Sequence, residues 1–289
     1  METRTAMSTK DRLVSSSNHL PPTAWICSTC GVQFAPGPDT PDACPICQDS
    51  RQYVGWPGQT WTTASMLNAQ HAIHFEDCAG VATMVSRPSF AIAQRAFLVP
   101  CGSAVVMWEC LSQVSDDALR RLDAMGGVQA IAISHPHFYA AMVDWSDALG
   151  GIPIYLHAAD RQWVQRHSPA LHFWEGDRLA LSDGLELVHL PGHFEGSTGL
   201  WWKHGPRPGG SLFPGDALQV SADRRFTSFM YSYPNHIPLG PTALRRLEAR
   251  LAPLRFADLF GFAPGRQIVG EAQARVALSF ERYRAAISA

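Results

Sequence analysis

Pro191-Gly192-His193-Phe194-Glu195-Gly196-Ser197-Thr198 sets a histidine in a glycine-bounded turn just after the strand-like run at residues 186–190. Upstream, the apolar, β-branched run at residues 128–133 reads as a buried strand. It leads directly into Ser134-His135-Pro136-His137-Phe138-Tyr139. Histidines at i and i+2 just past the carboxyl end of a strand can aim both imidazoles at one point. Downstream, Phe213-Pro214-Gly215-Asp216 adds a carboxylate after a third apolar run. Loops at strand ends are where α/β proteins assemble their sites. One such histidine would read as a core residue. Three histidines and an aspartate, in this order at strand ends, make His135, His137, His193 and Asp216 a candidate ligand set.

Around these stretches, short apolar runs alternate with helical patterns. Residues 91–100 and 104–108 read as neighbouring strands joined by a Cys-Gly-Ser turn. Residues 115–125 form a helix capped by Ser115, with Leu119 and Leu122 at helical spacing. Helices are expected again at 142–149, 158–166, 241–251 and 271–287, the third opened by Pro241. Further strands are expected at 153–156, 178–181, 186–190, 199–203, 211–214 and 256–260. Strands in both halves with helices between them suit two packed sheets covered by helices.

The N-terminal part has a different chemistry. Cys27-Ser-Thr-Cys30-Gly31 and Cys44-Pro-Ile-Cys47 are separated by 13 residues. Two C-x-x-C turns each present a pair of thiolates, and together they make a tetrahedral four-sulfur site. Gly31 relieves the first turn, because glycine takes left-handed dihedrals cheaply. The segment is too poor in apolar residues to build a core unaided, so a metal must organise it. Thiolate ligation suits zinc and iron alike. The stretch WICSTCG…CPIC resembles the short rubredoxin-like domain of rubrerythrins, which implies iron or zinc at Cys27, Cys30, Cys44 and Cys47. It departs from that family at Gln48, where glycine is usual.

The larger part resembles the metallo-β-lactamase superfamily, whose pattern runs H-x-H-x-D-H, then P-G-H-x-x-G-S, then G-D. The resemblance covers the chain from about Thr62 onward and implies an α/β (α+β) fold, an αββα sandwich with metal at the loop edges of its sheets. ISHPHFY, IAQRA, LHAADRQWV and FMYSYPN-x-IPL further resemble a bacterial branch of that superfamily. Tyr139 and Ala140 stand where the family completes its first motif with Asp and His. The run Asp258-Leu-Phe-Gly-Phe262-Ala-Pro-Gly lacks the family's last metal-binding histidine. These losses fall on the second metal position, so one metal is expected at His135, His137 and His193, with Asp216 beside it. The expected organisation is a disordered leader at 1–22, the cysteine knuckle at 23–50, a linker at 51–61 and the sandwich at 62–289.

Three functions remain open on this reading. A zinc with three neutral imidazoles keeps a fourth position open and ionises water near pH ~7. That suits hydrolysis of a small ester, thioester, lactone or amide, with Asp216 as ligand or general base and Tyr139 as an oxyanion donor or a packing residue. Alternatively His135, His193 and Asp216 form a 2-His-1-carboxylate face for iron. The chain would then be an oxidoreductase fed with electrons by the cysteine centre. The third reading is a ligand-binding member without catalysis.

Composition narrows the partners. Hydrophobic residues make up 46% of the chain and charged residues 17%, with a formal net charge of −2. With no basic block and no long apolar run, neither nucleic acid nor membrane is expected, and a small-molecule substrate is. Doubled C-x-x-C pairs and no export signal point to a cytoplasmic protein. The aromatic loop at 229–233 could wall a substrate pocket or form a homodimer contact. Tyr233 and His236 are its substrate-facing candidates. His157 is a candidate outer partner of the cluster, and Glu109 a candidate to hydrogen-bond loop backbone near it. His71, His74 and His189 are read as surface, capping or packing residues, and Cys78, Cys101 and Cys110 as ordinary thiols.

Overall fold

Alternation along each strand sorts side chains onto opposite faces, and here both faces of both sheets are covered. The computed structural model describes residues 23–288, so the leader expected at 1–22 lies outside the described residues. The first sheet runs in chain order through β1 (Ala72–Cys78), β2 (Val81–Arg87), β3 (Arg95–Cys101), β4 (Ala104–Trp108), β5 (Val128–Ala132), β6 (Ile154–His157) and β7 (Leu171–Trp174). Pairing is antiparallel as far as β4 and parallel from β4 to β7. The second sheet holds β8 (Arg178–Ser182), β9 (Leu185–His189), β10 (Thr198–Trp202), β11 (Ser211–Phe213), β12 (Asp258–Phe260) and β13 (Gln267–Ile268), also in chain order. It is antiparallel except between β11 and β12.

Between the sheets, Phe97, Val99, Val106, Trp108 and Ala132 meet Leu185, Leu187, Leu200, Phe213 and Phe260 in one cluster. Phe213 stacks on Phe260 at 4.8 Å and meets Phe97 edge-on at 5.0 Å. Each buried side chain of this size contributes roughly 1.5–3 kcal/mol. The alternate residues Leu98, Met107 and Ile131 face the other way, toward α2 (Asp116–Ala124) and α3 (Met142–Ala148). On the far side, Val188, Leu212 and Leu259 pack with α4 (Pro241–Leu251) and α5 (Ala272–Ser288). This is the expected αββα sandwich. Among the described residues, no helix is long and apolar enough to cross a membrane.

Three local expectations change. Residues 64–90, where no strand was expected, form a helix, α1 (Ala64–Gln70), and the hairpin β1–β2. His74 therefore lies on a strand, while His71 follows α1 and bonds the Pro88 carbonyl at 2.8 Å. The expected helix at 158–166 is a 3₁₀ segment, Ala158–Trp163. The expected linker pairs with the knuckle: Trp61–Thr62 lies antiparallel to Ile26–Cys27. Cys27, Cys30, Cys44, Ile46 and Cys47 also pack in the same apolar cluster as Met84, Leu98 and Met107. Packing thus crosses the boundaries drawn at 50 and 61.

Candidate metal centres

The directions of β4, β5, β6, β9 and β11 bring their carboxyl ends to one edge of the molecule. His135 and His137 follow β5, His193 follows β9, and Asp216 follows β11. The two histidine loops are joined where the Thr198 N–H donates to the Ser134 carbonyl at 2.9 Å. Gly215 lets the aspartate loop approach. Its φ is +56°, and a Cβ there would sit 2.4 Å from the Ser134 side chain.

His135, His137, His193 and Asp216 each offer one ligand atom to a group whose atoms all lie within 4.8 Å of one another. His135 Nε2 is 3.4 Å from Asp216 Oδ2, His193 Nε2 is 4.0 Å from the same oxygen, and His193 Nε2 is 3.3 Å from His137 Nδ1. Ligands ~2.1 Å from a tetrahedral ion stand ~3.4 Å apart, so this spacing fits one ion. The four side chains are 1–6% exposed. Among the described residues, the buried Nε2 of His135 has no hydrogen-bond partner. Burial of bare polar nitrogens is costly unless something binds them.

The far nitrogens of His135 and His193 are held. His135 Nδ1 lies 2.7 Å from Ser134 Oγ, and His193 Nδ1 lies 3.3 Å from the Met230 carbonyl. A Nδ1–H donated to that carbonyl leaves Nε2 as the lone-pair nitrogen, the tautomer a metal needs. Burial lowers the pKa of His193 to about 3 and takes His137 well below its usual value, so both are neutral. Burial alone would raise Asp216, but His135, whose Nε2 lies 3.4 Å from Oδ2, and the neighbouring His193 hold it below the usual carboxylate range. Gln219 adds a longer contact to Asp216 Oδ1 at 3.4 Å. Three imidazoles and one carboxylate are a donor set suited to zinc or iron.

Around this group, Glu109 is buried and its Oε2 accepts the Ser134 N–H at 3.1 Å. Burial raises its pKa well above the usual range. Glu109 thus bonds the backbone beside His135, the kind of contact expected of it. His157 stacks on His189 at 4.0 Å, and His189 Nε2 donates to the Glu195 carbonyl at 2.7 Å. The pair braces the His193 loop rather than touching the cluster. The Tyr139 hydroxyl donates to the Asp160 carbonyl at 3.3 Å and its ring is buried in the core, the placement a packing residue would have. Phe262, in the run that lacks the family's last histidine, packs edge-on against Phe138 at 5.4 Å.

A cleft of about 540 Å³ adjoins the cluster, lined by Gln219, Met230, Tyr233, His236, Phe262 and Arg266 among others. Met230 and Gln219 each touch a cluster residue, and the Tyr233 ring lies 5.8 Å from that of His193. Tyr233 and His236 therefore share one wall. Phe229 turns inward instead, stacking on Phe280 at 4.3 Å, which removes it from any dimer surface.

The cysteine group is as compact. Cys27 Sγ is 3.6 Å from Cys47 Sγ, and Cys30 Sγ is 3.7 Å from Cys44 Sγ. Thiolates ~2.3 Å from a tetrahedral ion stand ~3.8 Å apart, so this group also fits one ion. Gly31 has φ +80°, as its turn requires. Gln48 needs no glycine, because Pro45–Gln48 is a helical turn and its N–H donates to the Cys44 carbonyl at 3.0 Å. The buried thiols share protons: Cys27 receives hydrogen bonds from Cys30 and its other neighbours and ionises most readily, while burial holds Cys30 protonated. A cation would replace those protons.

The DIM-1 metallo-β-lactamase superposes with a TM-score of 0.53 at 14% identity, over 74% of this chain and 98% of its own. The mono-zinc form of FIM-1 from Pseudomonas aeruginosa gives 0.51 at 16% identity, over 73% of this chain and 95% of its own. No protein-family model matches. This is a metallo-β-lactamase-fold protein with a second, four-cysteine metal-binding group near its N-terminus. More particularly, it belongs to the family of YmaE of Bacillus subtilis (strain 168), an uncharacterized protein 41% identical over 240 residues, 82% of this chain and 87% of YmaE.

Proposed function

We propose that the chain is a metal-dependent hydrolase acting on a small ester, thioester, lactone or amide at a mononuclear His135–His137–His193 centre with Asp216. The observation that carries this reading is the near-tetrahedral spacing of three buried imidazoles and one ionised carboxylate. When bound, zinc supplies Lewis acidity and brings water's pKa near ~7. Burial keeps His137 and His193 neutral and thus able to bind, and Ser134 and the Met230 carbonyl fix the ring orientations of His135 and His193. Asp216 stays ionised and can ligate or accept water's proton at Oδ2. Gln219 limits the rotation of its carboxylate. Tyr233, Met230 and Phe262 give the cleft an apolar wall and Arg266 a cation, in a volume suited to a small molecule. The cysteine group holds zinc or iron.

Asp216→Asn keeps the side chain's shape and removes its charge. Its turnover of activated esters or thioesters should fall by about two orders of magnitude or more. Wild-type-like turnover in that variant contradicts the assignment. A second reading rests on the contact between the cysteine group and the His137 loop described below: an iron oxidoreductase fed by the cysteine centre. Iron at both groups would favour it.

A further inference from the structure

We infer that Gln94 and Arg51 are positioning residues through which the cysteine knuckle sets the geometry of the histidine centre, so that a metal at the cysteines strengthens metal binding at the histidines. The inference rests on reading both groups as metal sites.

Gln94 is 4% exposed and stands at the start of β3. Its amide nitrogen has two hydrogens and lies near two carbonyls. One is that of Cys30 at 2.5 Å, the other that of His137 at 3.4 Å. One side chain thus ties a residue of each group to the other. The turn that delivers it is strained, with Ala91 at φ +50° and Ala93 at +58°. Strain of this kind persists where the surroundings demand a particular placement. The fit behind Gln94 is tight as well: a Cβ on Gly31 would lie 2.8 Å from its amide nitrogen and 2.3 Å from Ser112 Oγ. Ser112 Oγ in turn donates to the Gly31 carbonyl at 2.8 Å, and the Gln33 N–H donates to the Ala140 carbonyl at 2.9 Å. The segment after Cys30 is therefore bonded along the back of the loop that carries His135 and His137.

The second strut starts just after Cys47. Asp49 grips the Arg51 guanidinium, with Nε–Oδ1 at 2.6 Å, and that guanidinium lies over the Phe194 ring at 3.8 Å. Its Nη1 approaches the His193 carbonyl at 3.4 Å. The surrounding backbone is clamped to the loop that anchors His193: Asn235 Nδ2 donates to the Ser50 and Gln52 carbonyls, and Ser232 Oγ donates to that of Arg51. A cysteine group closed around its ion fixes the chain at both Cys30 and Cys47. Both histidine loops are then held from behind. An open group releases both struts together. Outer partners that orient ligands change metal affinity by 10–100-fold when lost.

The test uses full-length protein stripped of metal and titrated with cobalt(II), whose thiolate-bound and imidazole-bound forms absorb differently. Gln94→Met keeps the length and burial of the side chain but removes both donors, so a packing role predicts no change. The expected result is one ion retained at the cysteines, with affinity at the histidines reduced about 10–100-fold. Cys44→Ser/Cys47→Ser should weaken the histidine centre similarly, and by much less when Gln94→Met is already present. If Gln94→Met does not fold, Arg51→Met decides alone, since it loosens His193 from the protein's surface side. Histidine-centre affinity within about twofold of wild type in every folded variant overturns the coupling. Wild-type protein that binds cobalt only at the cysteines overturns the metal reading of the histidines themselves, and the coupling with it.

Discussion

Asp160 lies beside the His193 loop, its Oδ1 accepting the Gly196 N–H at 2.9 Å and its Oδ2 buried without a partner among the described residues. Burial raises its pKa from 3.8 to about 7, against the Gly196 bond and the Arg51 charge. Because the folded pKa lies above the unfolded one, its stabilising contribution is complete below pH ~4 and is lost as pH rises through about 7. Asp160→Asn removes this dependence while keeping the acceptor. Between pH 4 and 8, wild type should lose roughly 2–4 kcal/mol relative to that variant, at about 1.4 kcal/mol per unit. Denaturant unfolding of both proteins across that range checks it, and parallel curves would contradict it. At this scale the ligands were legible in the sequence, because His-x-His, P-G-H and G-D each stand at a strand end. Gln94, Arg51 and Asp160 were not. They act on backbone carbonyls and amides of residues distant in sequence, and no spacing rule marks such a bond. The bond from the Tyr139 hydroxyl to the Asp160 carbonyl was hidden for the same reason.

Among the missed elements, which include β7 and β13, the hairpin β1–β2 is the longest. Its two-residue turn is Ala79-Gly80, with φ of +53° and +89°. The common signal for such a turn is Asn-Gly or Asp-Gly, and alanine hides it. The paired strands also alternate weakly, with Glu76, Asp77 and His74 set among apolar residues. Alanine in the left-handed region is unfavourable by about 1 kcal/mol, so Ala79→Asn should raise stability by roughly 0.5–1 kcal/mol. Unfolding midpoints of the two proteins measure this, and an unchanged or lower midpoint would contradict the strain. The long apolar strands and the capped helix α2 were readable because each carries its own local signal. Ser115 accepts the Ala118 N–H as its position suggested. The seven-residue α1 has only Leu67 buried and so lacks a periodic face.

Across the whole molecule, two compact ligand groups occupy one chain and share its packing. The cysteines sit in the cluster that lies behind β3, β4 and β5, and the histidines close the edge where both sheets end. Sequence separated the two because their chemistries differ, but the pairing of Trp61–Thr62 with Ile26–Cys27 joins them in space. Removal of metal should therefore loosen more than the knuckle, and a strong chelator should lower the melting temperature of the entire protein in one transition. A knuckle that melts separately, leaving the sandwich's transition unmoved, would contradict that. Elemental mass spectrometry on freshly purified protein counts the metal sites of each chain. Two ions per chain are expected, falling to one in His135→Ala/His193→Ala with the cysteine-bound ion retained. A wild-type chain carrying one ion, unchanged by that double substitution, would contradict the two-site assignment.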